Sequence, residues 1–283
     1  MLIVENTDLQ LHVIDPSEDY SLTGSRYCSG GQIFQVIDRE LGPLFSGPTY
    51  PEKYNTFDSQ GLPDAFNRYP GLREAAFGDL IVAIGVGLVR YTHEIIHSFA
   101  RENTEVTRPL SWTVEPSPGV LECKAHEQYG DYAYELRRRV ELINRRIRIT
   151  HELKNTGRSE LPVRWFAHPF FPHTKNFVVG NIPSDLRLNR FYARDGEALR
   201  LTIPEGGDVN FGDAFIDGKP LERTGNLVIP VRHDLLGYVE VECGFPVDAL
   251  PFWYNRCTFS PEPFFLTSLA SGQRSMWGIR YDL

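Results

Sequence analysis

Across 283 residues the chain has no unbroken apolar run of about 18, the length a membrane-spanning helix needs. It begins Met1-Leu2-Ile3-Val4-Glu5 without the basic region and apolar stretch of an export signal, so a soluble, cytoplasmic protein is expected. No segment of about ten residues holds a helical period, and no internal repeat or low-complexity tract is present. That argues against bundles, coiled coils and solenoids. Long blocks of like charge are missing too: Lys+Arg number 29 against Asp+Glu 37, and the net charge of -8 is dispersed. Such a balance offers no basic face to nucleic acid or to an anionic membrane, and it points to a small-molecule partner.

Cysteine is sparse. Cys28, Cys123, Cys243 and Cys257 lie far apart and form neither a CxxC nor a Cys/His ligand spacing, so buried free thiols are expected rather than disulfides or zinc. His93 and His97 stand at i, i+4, but Thr92, Ile95 and Ile96 around them read as strand, and no metal is expected.

Apolar residues, by contrast, make up 41% of the chain and aromatics 12%, enough to bury a large core. In an all-β sandwich of this length they fit one domain spanning residues 1–283. Strand patterns recur at 33–37, 80–90, 112–115, 119–124 and 132–136, then at 199–203, 226–231 and 238–241, with turn residues between them. Arg137-Arg138-Arg139 and Arg145-Arg146 look like a basic patch, yet on strands such side chains alternate faces and pair with neighbours such as Glu135 and Glu141. Residues 46–78 are irregular and rich in proline and glycine, and Phe57 to Phe66 within them is expected to line a pocket.

The chain is organised around Ile149 to His173. Alternation from Val140 through Leu153 reads as one half-buried strand; Asn155-Thr156-Gly157 is expected to supply the left-handed backbone of a hairpin turn, and Leu161, Val163 and Trp165 alternate on the return. Pro169 lacks an N–H, so the ladder is expected to stop there and leave His168 on a rim open to a ligand. A second segment of interest is Phe259-Ser260-Pro261-Glu262-Pro263, followed by Leu269-Ala270-Ser271-Gly272-Gln273 and a closing strand from Met276 to Tyr281.

These two motifs, in this order, resemble the aldose 1-epimerase (galactose mutarotase-like) family, including its hexose-6-phosphate epimerase branch. The resemblance implies a β-supersandwich of large antiparallel sheets. It also implies an isomerase that interconverts the α and β anomers of an aldose or hexose phosphate by opening the ring, without a cofactor. Glu262 matches the family's base, which takes the proton of the C1 hydroxyl, and His168 its acid, which protonates the ring oxygen. The two are then expected to converge on one cleft, about a sugar ring apart. Arg26, beside a glycine-rich stretch, and Arg90 are candidate sugar ligands because guanidinium recognises oxygens in pairs. Asp213 is a candidate for the family's sugar-gripping carboxylate, with Asp185 and Asp208 left open. The chain departs from the family at Val86-Gly87, where the family has His-Gly, and His93 is then a candidate for the missing imidazole. The alternative is a sugar-binding protein on the same fold without turnover.

Overall fold

The computed structural model describes residues 1–92, 105–174, 178–179, 192–195, 198–201, 227–255 and 257–283. Among the described residues regular structure is antiparallel strand apart from a short 3-10 turn at Tyr20–Leu22. No helix among them is long and apolar enough to cross a membrane.

A ten-stranded sheet forms one layer. From Leu227–His233 it runs through Gly237–Cys243, Arg274–Asp282, Arg146–Asn155, Tyr132–Ile143 and Val120–Tyr129 to Trp112–Ser117. Short strands at Val178–Val179, Ala198–Leu201 and Tyr192–Asp195 extend the other end. Period-two alternation gives this sheet a dry face and a wet one: in Arg146–Asn155 the side chains of Ile147, Ile149, His151, Leu153 and Asn155 are buried while those of Arg146 and Arg148 are exposed. The wet face is a lattice of ion pairs, across strands as in Lys124 with Glu115 at 2.8 Å and Arg137 with Glu122, and along one strand as in Arg139 with Glu141 at 3.0 Å. Exposed pairs of this kind each contribute little, roughly 0–1 kcal/mol, and mainly keep the face solvated. Arg138, the middle residue of the run, turns to the dry face and is fully buried.

Across the core stand a four-stranded sheet (Leu2–Glu5, Leu9–Val13, Ile33–Asp38, Gly42–Pro43) and three sheets of three strands. These are Phe264–Leu269 with Leu161–Ala167 and Asp64–Phe66; Phe171–Pro172 with Thr258–Pro261 and Phe252–Tyr254; and Leu80–Ala83 with Gly87–Arg90 and Val106–Pro109. Leu11, Val36, Val163, Trp165, Phe252 and Phe259 from this side join Leu136, Ile149, Val241, Trp277 and Tyr281 of the large sheet in one continuous apolar cluster. The cysteines are all free thiols, buried except for the half-buried Cys257.

Two local expectations are corrected. Val140 to Leu153 is not one strand: Ile143 pairs with Arg146, so Asn144–Arg145 is a two-residue turn, with Asn144 at φ 54°. Nor do the strands on either side of Asn155-Thr156-Gly157 form a hairpin. Arg146–Asn155 pairs with Tyr132–Ile143 and Arg274–Asp282, whereas Leu161–Ala167 pairs with Phe264–Leu269 and Asp64–Phe66. The turn is a corner that carries the chain from one sheet to another. Asn155 fixes it by donating to the carbonyls of Ser159 and Leu269 and accepting from the Gly157 N–H. Gly157 is required for space rather than for a left-handed φ, since a Cβ there would lie 2.5 Å from the Ala133 nitrogen.

Candidate active site

Leu161–Ala167 is the strand that delivers His168. Alternation sends Val163 and Trp165 into the main core and Phe166 to the opposite side, and the same period brings Phe166, His168 and Phe170 together. Pairing does not stop at Pro169. Ala167 is in register with Asp64, the His168 N–H donates to the Pro63 carbonyl at 2.9 Å, and the Phe170 N–H donates to that of Gly61 at 2.8 Å. The proline thus falls between two hydrogen bonds, where its missing donor costs nothing. Gly61 permits the close approach: its φ is +77° and a Cβ would sit 2.4 Å from the Ile33 carbonyl oxygen.

Glu262 arrives by the same device. Its N–H donates to the Pro251 carbonyl at 2.9 Å and that of Phe264 to Ala249 at 2.8 Å, with Pro263 between them. Phe264 then stacks on Phe166, ring centres 4.6 Å apart. Two segments of one pattern, His168-Pro169-Phe170 and Glu262-Pro263-Phe264, meet in this way, and His168 Nε2 lies 3.1 Å from Glu262 Oε1. Neither imidazole nitrogen has a hydrogen-bond partner, so the approach is a close contact without hydrogen-bond geometry.

The open rim expected for His168 is not observed: the side chain is only 1% exposed. Tyr27, Phe166, Phe170 and Trp253 box it in, with ring centres 5.7, 5.9, 4.5 and 5.6 Å from that of the imidazole. These rings belong to an apolar cluster separate from the main core. Convergence with Glu262 is as expected, but the spacing is not, because the two groups touch and leave no room for a sugar ring between them. Burial pushes the imidazole well below its ordinary pKa and the positive charge of Arg26 adds to the effect, so His168 is neutral at pH 7. The Arg26 guanidinium lies over the rings of Tyr27 and Phe57, at 4.9 and 5.3 Å from their centres. Asp58 is also nearby, its carboxyl raised by burial and partly offset by Arg26.

Beneath the box lies a buried charge network. Asp64 pairs with Arg138, accepts from Trp165 Nε1 at 3.1 Å, and lies 3.5 Å from His151 Nε2. Burial alone would raise the Asp64 carboxyl, yet Arg138 and His151 bring it below the usual range. Arg138 also donates to the Gly30 carbonyl at 2.6 Å, and the Asp64 carbonyl accepts from the Cys28 N–H at 2.9 Å. The network therefore ties together the segment carrying Arg26 and Tyr27, the strand paired with Ala167, and the large sheet.

The remaining candidates divide. Arg90 ends the strand Gly87–Arg90 and is engaged elsewhere, pairing with Glu105 at 3.1 Å and donating to the Gly78 carbonyl at 3.0 Å. Val86 is buried in a small apolar cluster with Ile81, Ala83 and Val89. His93, Asp185, Asp208 and Asp213 lie outside the described residues. Glu94 beside His93 completes the spacing His-Glu-Ile-Ile-His, a zinc-helix pattern that the strand reading passed over, and it too lies outside them. Among the described residues no three His, Cys, Asp or Glu side chains converge to hold a metal ion. Sequence reasoning covered Asp64 only as one residue of the Phe57 to Phe66 stretch expected to line a pocket, and gave Tyr27 no role. The repeated charged residue, proline, phenylalanine pattern was a signal for the other two.

No known family model matches the sequence, and no curated protein matches it. Solved structures do. A galactose mutarotase-like protein from Lactobacillus casei is 13% identical with a TM-score of 0.63, covering 100% of this chain and 99% of its own. A galactose mutarotase related enzyme from Lactobacillus acidophilus is 13% identical with a TM-score of 0.62, covering 99% and 96%. A candidate aldose 1-epimerase from Escherichia coli K12 is 15% identical with a TM-score of 0.58, covering 99% and 97%. At such identities the likeness is one of fold: the chain has the galactose mutarotase-like β-sandwich.

Proposed function

We propose that the protein is a carbohydrate 1-epimerase that interconverts the anomers of an aldose or hexose phosphate at His168 and Glu262. The observation that carries this reading is the convergence, inside an aromatic box, of an imidazole and a carboxylate far apart in sequence. Glu262 accepts the C1-hydroxyl proton while the protonated form of His168, the minor form at pH 7, delivers one to the ring oxygen; C1–O5 cleavage gives the open aldehyde, and closure on the other face returns both protons. Because the two groups lie 3.1 Å apart, a sugar must part them as it enters. Trp253 and Phe170 then offer faces for its C–H bonds.

Two observations favour a second reading, sugar binding without turnover: the direct His168–Glu262 contact, and the apolar Val86 where the resembled family has histidine. Saturation-transfer NMR on glucose, galactose, mannose and their 6-phosphates tests both. Exchange above the buffer rate supports the epimerase; binding without added exchange supports the second reading; no binding contradicts both.

A further inference from the structure

Tyr27 is buried to 2% exposure, and its hydroxyl has no hydrogen-bond partner. A phenol donor held in a dry site without an acceptor is costly, so such groups are either satisfied by an occupant or replaced by phenylalanine. Its position is telling. The ring meets His168 edge-on, 5.7 Å between centres at 84°. The charges that act on its hydroxyl are those of Arg26, Glu262 and Asp58, the groups that surround the proposed reaction centre. Its backbone cannot drift, because the next residue, Cys28, donates to the Asp64 carbonyl and Ser29 to that of Gly85. A second orphan hydroxyl stands on the same side. Ser260 Oγ is fully buried without a partner, directly across the strand pair from Trp253 and two residues before Glu262.

We infer that Tyr27 is a specificity-determining residue whose hydroxyl donates to one hydroxyl oxygen of the bound sugar. The inference rests on the epimerase or sugar-binding reading of the site and adds to it a residue and a selectivity. No proton is transferred: Tyr27 remains a neutral donor, since burial and the Glu262 charge oppose loss of its proton. Its effect is on which sugars are accepted, because a buried donor built to meet a hydroxyl rejects an analogue that lacks it.

The test compares wild type and Tyr27→Phe for binding, by ligand-observed NMR titration, of the best-bound hexose of the panel above and of its monodeoxy analogues. Wild type is expected to lose about 10-fold in affinity for one analogue and much less for the others. Tyr27→Phe should bind the parent hexose weaker by a similar factor and treat that analogue and the parent alike. It should melt at the same temperature as wild type or higher, since an unpaired buried hydroxyl has been removed. Equal wild-type affinity for every monodeoxy analogue overturns the inference, whether or not the variant folds. So does a variant that keeps the wild-type selectivity, the result expected if an ordered water alone meets the hydroxyl. A wild type that binds no hexose overturns the parent reading as well; binding without anomer exchange removes only catalysis and leaves the Tyr27 comparison decisive.

Discussion

At the scale of single residues, the state of His168 sets the pH behaviour. With His168 as the proposed acid, its lowered pKa is expected to put the alkaline limb of kcat/KM below about 6.5, the ordinary imidazole value, because the protonated form is lost above it. Arg26→Met removes a positive charge that contributes to the lowering, so that limb should move to higher pH; a limb that stays put would separate Arg26 from the site. Stability has its own signature. A histidine whose folded pKa is depressed binds its proton more readily when unfolded, so stability is full above about pH 6.5 and falls as pH drops toward the folded value, by at most about 1.4 kcal/mol per pH unit. His168→Asn should flatten the decline of denaturant stability between pH 7 and 5 by up to one proton's worth, leaving the part due to His151, His173 and His233, which burial also lowers. Elemental analysis of the purified protein addresses the His-Glu-Ile-Ile-His spacing: no stoichiometric zinc is expected. His168 and Glu262 were legible because each stands in a motif. Tyr27 was not, because a buried tyrosine reads as core until its hydroxyl is found without a partner.

At the scale of elements, the strand pairing that holds His168 depends on Asp64–Phe66, and that strand depends on the Asp64–Arg138 pair. Removing one partner of a buried pair strands the other charge, so Asp64→Ala should cost about 3–5 kcal/mol, read as a lower urea midpoint at unchanged m-value. Asp64→Leu combined with Arg138→Met should recover much of it, because no buried charge remains. An Asp64→Ala loss below about 0.5 kcal/mol would contradict a structural role for the network. Alternation along the arginine run already says that Arg138 faces opposite to Arg137 and Arg139; what sequence could not show is that Asp64, from the irregular segment, waits on that side. The misread hairpin has a similar cause. Period two continues unchanged across Asn144–Arg145, and an Asn-Thr-Gly corner between sheets carries the same residues as a hairpin turn, so only hydrogen-bond partners distinguish them.

At the scale of the whole molecule, one apolar cluster includes residues from Val4 to Tyr281, and the C-terminal strand lies in the middle of the large sheet. On that basis we expect a single domain that unfolds in one calorimetric transition with equal calorimetric and van't Hoff enthalpies, while two resolved transitions would contradict it. The strand-rich class was readable from alternation, but the closed state of the site was not, since closure comes from packing between segments distant in sequence. The most direct test of the central claim is saturation-transfer NMR of anomer exchange by wild type and Glu262→Gln on the best-bound hexose. Catalysis by this pair predicts wild-type exchange well above buffer and a fall of about 100-fold or more in the variant with affinity little changed. Exchange undiminished by Glu262→Gln, or absent from wild type that binds the sugar, would contradict it.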